Sequence, residues 1–326
     1  MNPVISVIVP VYGVAGFIEK CTRSLMEQTL KENIEFIFVD DCTEDDSIVI
    51  IKRVLNDYPL RKSQTRICHH PENKGLPSAR NTGLHVATGE YILHFDGDDF
   101  AEPLMLENFL KVVETTHADY IWSNWLLTYD SKDRFMREPT YATPEEAIVG
   151  ILKGQMKYNV WNKIIRKSIY VDNNISFPDG FAMGEDMTMI RLLACSKSVA
   201  HMNYAGYHYV RYNTQSMTSN IDKKHLSEII HNVNETVEFL RLRKIDDIDT
   251  LSDTFCLHTK FPFIVSSAST DYEKWNLLWP HSNKSISAAG FSFRNKLLNV
   301  FAANNMWWLL KLHFKIYKYI YEMWYC

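Results

Sequence analysis

The sequence predicts an α/β fold on a mainly parallel central sheet flanked by helices, with a helical C-terminal extension, and three observations predict it. Short β-branched apolar runs alternate with helix-spaced patterns through the first 110 residues, as expected of buried parallel strands joined by crossover helices. Three of these runs end in polar or acidic residues, and helical spacing dominates from Asp222 onward. With 326 residues, 46% of them hydrophobic and 23% charged, the chain can bury a large core and is neither disordered nor fibrous.

The elements follow in order. Val4–Val9 reads as the first strand, and Ile18, Cys21 and Leu25 share one helix face after it. Ile34–Val39 is the second strand, and Ile48, Ile51 and Leu55 mark the next helix. A strand at Thr65–Cys68, a helix over 77–87, a strand at Tyr91–Phe95, a helix over 104–116 and a strand at Tyr120–Thr128 complete this half. Charge and turn residues at 130–140 suggest a soft boundary. Thr143, Pro144 and Glu146 then form a helix start, because the hydroxyl can cap, proline suits the first helical position and the glutamate can reach back. WNK at 161–163, a turn at 177–180, GED at 184–186 and a strand YHYVRY at 207–212 precede the helical region.

A net charge of −4 gives no basic field for nucleic acid. The six cysteines, at 21, 42, 68, 195, 256 and 326, contain no C-x-x-C pair, which suggests free thiols and a cytoplasmic protein. The apolar run at the start is too short for a signal peptide or a membrane span, and no other window is apolar enough to span.

In an open parallel sheet, ligands sit beyond the carboxyl ends of the strands. Here those ends carry Pro10 and Tyr12, then Asp40 and Asp41, then Asp96, Gly97, Asp98 and Asp99. Such a cluster of carboxylates repels itself unless a cation or hydrogen-bond donors neutralise it, and hard oxygen donors with few protein ligands favour Mg²⁺ or Mn²⁺ shared with a diphosphate. For Asp99, helix capping is an equal alternative. No G-x-G-x-x-G follows the first strand, and no P-loop, G-x-S-x-G or H-E-x-x-H occurs, which disfavours dehydrogenases, P-loop kinases and common hydrolases.

VIVPVYG, FVDDCTEDDS, ENKGLPSARNTGLHVATGEYILHFDGDD, WNK and GED, in this order, resemble the family 2 inverting glycosyltransferases of the GT-A fold over roughly the first 220 residues. The resemblance implies that Pro10 and Tyr12 line a base pocket, Asp41 bonds a uracil-like edge, and Arg80 with the Asn73–Gly75 turn lies beside the nucleotide. It implies that Asp96 approaches the ribose, and that Asp98 of the D-x-D motif binds Mg²⁺ or Mn²⁺. His208 stands where some relatives recruit a further metal ligand, with a hydrogen-bonded core histidine as the alternative. Asp186 is implied as the base that deprotonates the acceptor hydroxyl, with Glu185 as the neighbour to test. Trp161, Asn162 and Lys163 are expected on the acceptor side. Gly97 replaces a frequent serine, Cys42 and Asp46 stand where relatives often carry glycine, and Pro77 replaces a small residue.

The resulting expectation is transfer of a sugar from a nucleoside diphosphate donor, preferably UDP-linked, to a hydroxyl of a glycan or lipid-linked acceptor in cell-surface polysaccharide synthesis. A sugar-1-phosphate nucleotidyltransferase and a catalytically silent nucleotide-sugar-binding scaffold are the alternatives. The expected domains are 1–220 (a nucleotide-sugar half 1–110 and an acceptor half 111–220), a helical extension 221–290, and an amphipathic segment 291–326. In that last segment Lys311, Lys315, Lys318 and Glu322 form one stripe, while Trp307, Trp308, Trp324 and Tyr325 lie near the helix ends. Peripheral contact of 306–326 with the cytoplasmic face of a membrane, packing on the catalytic domain and homo-oligomer contact all fit this pattern.

Overall fold

The computed structural model describes residues 3–211, 223–265 and 269–325, with side chains from 317 onward outside the described set. The chain divides into two compact units. The first takes the described residues up to Ala147 and those of 157–236; the second takes 148–156 and those from Val237 onward.

Among the described residues the first unit is built on nine strands: β1 (Ile5–Val11), β2 (Ile34–Asp40), β3 (Thr65–His69), β4 (Tyr91–His94), β5 (Phe100–Ala101), β6 (Tyr120–Thr128), β7 (Asp133–Met136), β8 (Lys163–Arg166) and β9 (Val199–Val210). Their order is 3-2-1-4-8-6-9-5, with β7 paired to β6. Strands β3, β2, β1 and β4 run parallel, and β8 then enters antiparallel between β4 and β6. All seven residues of β1 are buried, which is why its sequence is almost continuously apolar rather than alternating.

Helices α1 (Ile18–Met26), α2 (Ser47–Asp57), α3 (Pro59–Lys62), α4 (Leu76–Val86) and α5 (Met105–Thr116) connect the first strands. Later come α6 (Pro144–Leu152), α7 (Lys167–Asp172), α8 (Thr188–Leu193) and α9 (Lys223–Arg241). The expected cap of α6 is present: Thr143 Oγ1 accepts from Glu146 N at 3.2 Å, and Glu146 Oε2 accepts from Ala142 N at 2.9 Å.

Three local expectations change. The turn-rich stretch at 130–140 closes the β6–β7 hairpin, with Thr128 opposite Asp133 and Trp125 opposite Met136; hairpin ends and linkers share the same composition. The strand expected at 207–212 begins at Val199, and its last residue, Tyr212, lies outside the described residues, as does Asp222. Of the two positions where relatives often carry glycine, Cys42 takes the left-handed region with φ 59, whereas Asp46 has φ −76.

The second unit contains α10 (Ile248–Lys260), α11 (Pro262–Val265), α12 (Ser269–Leu277), α13 (Phe293–Ala303) and α14 (Trp307–Tyr325). Its buried Lys260 donates to the carbonyls of Leu278 and Trp279 and to Asn283 Oδ1, and lies 4.1 Å from the centre of the Trp275 ring. No described helix is long and apolar enough to cross a membrane.

Helix α4 seats on β1 through Gly83, where an added Cβ would stand 2.3 Å from Ile8 Cγ2. Because α4 also carries Arg80, this contact sets the height of the helix over the sheet. Gly83→Ala is expected to destabilise the protein by about 1–3 kcal/mol, measured by denaturant unfolding.

Candidate active site

The loops at the carboxyl ends of β1, β2 and β4 are latched to one another. Gly13 N donates to Thr43 Oγ1 at 2.9 Å and Ala15 N to Asp45 Oδ2 at 2.8 Å, so the loop after β2 holds the loop carrying the exposed Tyr12. Burial raises the Asp45 pKa, but hydrogen bonds from Ser47, Ala15 and Thr43 outweigh it and hold the carboxyl below its usual range. Pro10 is buried, and its carbonyl lies 3.1 Å from where a Cβ at Gly97 would stand, so the acidic turn passes close to the end of β1.

Asp41 is buried and organises the next turn. Its Oδ1 accepts from Lys74 N at 2.8 Å and meets His70 Nδ1 at 2.7 Å, and its Oδ2 accepts from Gly75 N at 2.8 Å. Asn73 Oδ1 also accepts from Gly75 N, and Gly75 has φ 88, which suits glycine. A carboxylate has about four acceptor sites, so Oδ2 has one left unused, on a side chain that is 4% exposed.

The acidic turn closes with Asp99 N donating to Asp96 O at 3.2 Å. Asp96 and Asp98 are partly exposed, whereas Asp99 is buried. Asp99 caps no helix. Its carboxylate accepts from Tyr207 Oη at 2.5 Å and from Val210 N at 2.7 Å, tying the turn to β9. Burial and then the charges of Asp98 and Asp96 push its pKa far up.

Arg80 is the centre of the arrangement. Its side chain is 2% exposed, its Nη2 donates to Asp96 Oδ1 at 2.9 Å, and its Nε donates to Glu185 Oε1 at 3.0 Å. One guanidinium thus joins the FDGDD turn to the GED turn. Arg80 was expected beside a nucleotide, but burial and these two partners make it an internal bridge instead. Glu185 is buried and paired to Arg80, and burial raises its pKa while Arg80 opposes the rise. Next to it Asp186 is partly exposed, in a short 3₁₀ turn over Glu185–Met187. Burial and the adjacent Glu185 raise its pKa to about 8, opposed by Arg80 and Lys163.

WNK lies behind this wall. Trp161 stacks on Tyr207 and Tyr209 with centroids 4.4 and 5.4 Å apart. Asn162 is fully buried and donates to Ser123 O, and Lys163 Nζ donates to Asn159 O at 2.8 Å and Asn162 Oδ1 at 2.7 Å. Burial lowers the Lys163 pKa to about 7, while Glu138 and Asp186 pull it back up. Asn162 and Lys163, expected on the acceptor side, are thus both buried and bonded internally.

His208, expected as a further metal ligand or a hydrogen-bonded core histidine, has both ring nitrogens engaged. Its Nδ1 meets Thr128 Oγ1 at 2.9 Å, its Nε2 meets Glu102 Oε1 at 2.8 Å, and its ring stacks on Phe100. Both ring nitrogens are occupied because the β5–β9 register places His208 opposite Phe100. Among the described residues no three His, Cys, Asp or Glu side chains form a metal cage. What the turn offers is the partly exposed Asp98 in a field of excess negative charge, the donor set that fits a Mg²⁺ or Mn²⁺ completing its shell with phosphate oxygens.

The family model for glycosyl transferase family 2 matches residues 6–186. The chain belongs to that family. Glycosyltransferase GlyG of Streptococcus pneumoniae serotype 4 is 27% identical over 243 residues, 71% of this chain and 78% of that protein. EpsJ of Bacillus subtilis, an uncharacterised glycosyltransferase, is 32% identical over 231 residues, 67% of this chain and 64% of its own length. Staphylococcus aureus TarS 1–349 in complex with UDP-GlcNAc superposes with a TM-score of 0.75 at 18% identity, covering 97% of this chain and 92% of that one. The mannosyltransferase PcManGT of Pyrobaculum calidifontis, in complex with GDP-Man and Mn²⁺, gives 0.52 at 15% identity over 99% and 88%. This family 2 glycosyltransferase thus has the GT-A fold, with the acidic turn and the GED turn at one site.

The bridge makes a direct prediction. Arg80→Met leaves two carboxylates without their cation and is expected to cost roughly 3–5 kcal/mol of stability. Arg80→Lys retains the charge but not the fork, so it should recover part of the stability and little of the activity, measured by thermal unfolding and sugar-nucleotide turnover.

Proposed function

We propose that this enzyme transfers a sugar, with inversion, from a UDP-linked donor to a hydroxyl of a glycan or lipid-linked acceptor in cell-surface polysaccharide synthesis. The observation that carries the reading is the Arg80 bridge, which brings an acidic, phosphate-facing turn and a carboxylate of base character to one site. The UDP-GlcNAc complex of TarS supports the choice of donor.

In this reading Tyr12 stacks on the base, the remaining acceptor site of Asp41 Oδ2 takes a ring N–H, and Asp96 faces the ribose. Asp98 would hold Mg²⁺ or Mn²⁺. When bound, that ion neutralises charge on the departing diphosphate as a Lewis acid. Asp186 accepts the proton of the acceptor hydroxyl as the oxygen attacks the anomeric carbon from the face opposite the diphosphate. Glu185 and Arg80 fix the turn that carries Asp186.

The sign of the pH dependence follows. A base with a raised pKa is protonated and idle below it, so kcat/KM should rise with pH up to about 8 and level off above. Asp186→Asn should lower turnover by at least about a thousandfold while retaining donor binding, and Asp98→Asn should weaken donor binding in Mn²⁺. A carboxyl group whose folded pKa is raised contributes stability at acidic pH that is lost as pH rises through about 8. Asp186→Asn should therefore be more stable than the parent at pH 8 and lose that advantage at pH 4. Thermal-shift assays of UDP-, GDP- and dTDP-sugars with and without Mn²⁺ test the donor; stabilisation by GDP-sugars alone would overturn the UDP assignment.

A further inference from the structure

The last two helices of the second unit carry apolar side chains on their outer faces. On α13, Phe293 is 83% exposed, and Leu297 and Val300 are exposed with it. At about 100° per residue these three fall within an arc of about 60°, opposite the buried Ala302. On α14, Trp308 is 62% exposed, and Leu312 and Ile316 follow at successive turns, opposite the buried Leu310. Arg294 Nε donates to His313 Nε2 at 3.1 Å, which ties the two helices together.

Charge distinguishes these faces from an ordinary unpartnered surface. Arg294 and Lys296 lie on either side of the α13 stripe, and the exposed Lys311 and Lys315 border the α14 stripe. Residues 293–316 contain no Asp or Glu. Pairing this face with the same face of a second copy would set Arg294, Lys296, Lys311 and Lys315 against their own like charges. An anionic lipid surface answers both features, since apolar and tryptophan side chains enter the headgroup boundary while lysines meet phosphates.

We propose that α13 and α14 form a docking face for an anionic lipid surface, with the helices lying in its plane. This inference concerns the second unit and stands apart from the transfer chemistry. Within the 291–326 segment that the sequence marks, it gives α13 an equal part with α14.

The test uses the full chain and vesicles of phosphatidylcholine alone or with about one third phosphatidylglycerol, with binding measured by co-sedimentation. Binding is expected only to the anionic vesicles and should weaken as salt rises. Lys311→Glu with Lys315→Glu should lower partitioning by about tenfold or more. Phe293→Ser with Leu297→Ser should lower it as well, with thermal unfolding unchanged because these side chains are exposed. Equal binding to both vesicle types, or none to either, would overturn the proposal. So would a dimer in sedimentation velocity that Leu297→Ser with Leu312→Ser dissolves, since a second copy would then own the face.

Discussion

A single buried guanidinium holds the site together. Arg80 comes from α4, Asp96 from the end of β4 and Glu185 from a turn about a hundred residues later, and the two bonds of Arg80 fix the last two relative to each other. Removing three ions from water is costly, and a fork that meets one carboxylate on each side is a geometry that offsets the cost. The position of α4, set by Gly83 against Ile8, is thereby transmitted to both acidic turns.

The site also shows how unequal environments make chemically identical carboxylates different. Asp41, Asp99 and Glu185 are buried with donors on them and act as parts of the frame. Asp98 remains partly exposed beside them, and Asp186, in a short 3₁₀ turn, keeps a solvent-facing edge with a raised pKa. The general point is that burial and like charge push a carboxyl toward proton acceptance near neutral pH, whereas an exposed one among other acids offers its oxygens to a cation. Tyr207, which the sequence does not single out, joins these classes: its hydroxyl donates to Asp99 and its ring stacks on Trp161.

Where the sequence misled, the cause was side-chain direction. His208 and Tyr207 are neighbours in an aromatic strand, and only the register of β9 against β5 and β6 shows which one faces the acidic turn. Lys163 and Asn162 sit in a motif that reads as a substrate wall, yet β8 is inserted between β4 and β6 and draws both inside. Strand β8 has four residues, a length at which apolar periodicity has no power to separate strand from loop. Asp99 resembles a helix cap because it lies before a helix, but β9 supplies a stronger pair of donors.

The sequence by itself determined the parallel half of the sheet, the strand of Tyr120–Thr128, the cap of α6 and the ordered motifs that mark the family, because each is written in local periodicity or in contiguous residues. Only the tertiary structure decided that Arg80 is a bridge, that His208 is saturated, that Lys163 stands behind Asp186, and that the apolar stripe of α13 faces outward. Those facts depend on which distant groups share a buried volume, and burial fixes charge, hydrogen-bond partners and exposure at once.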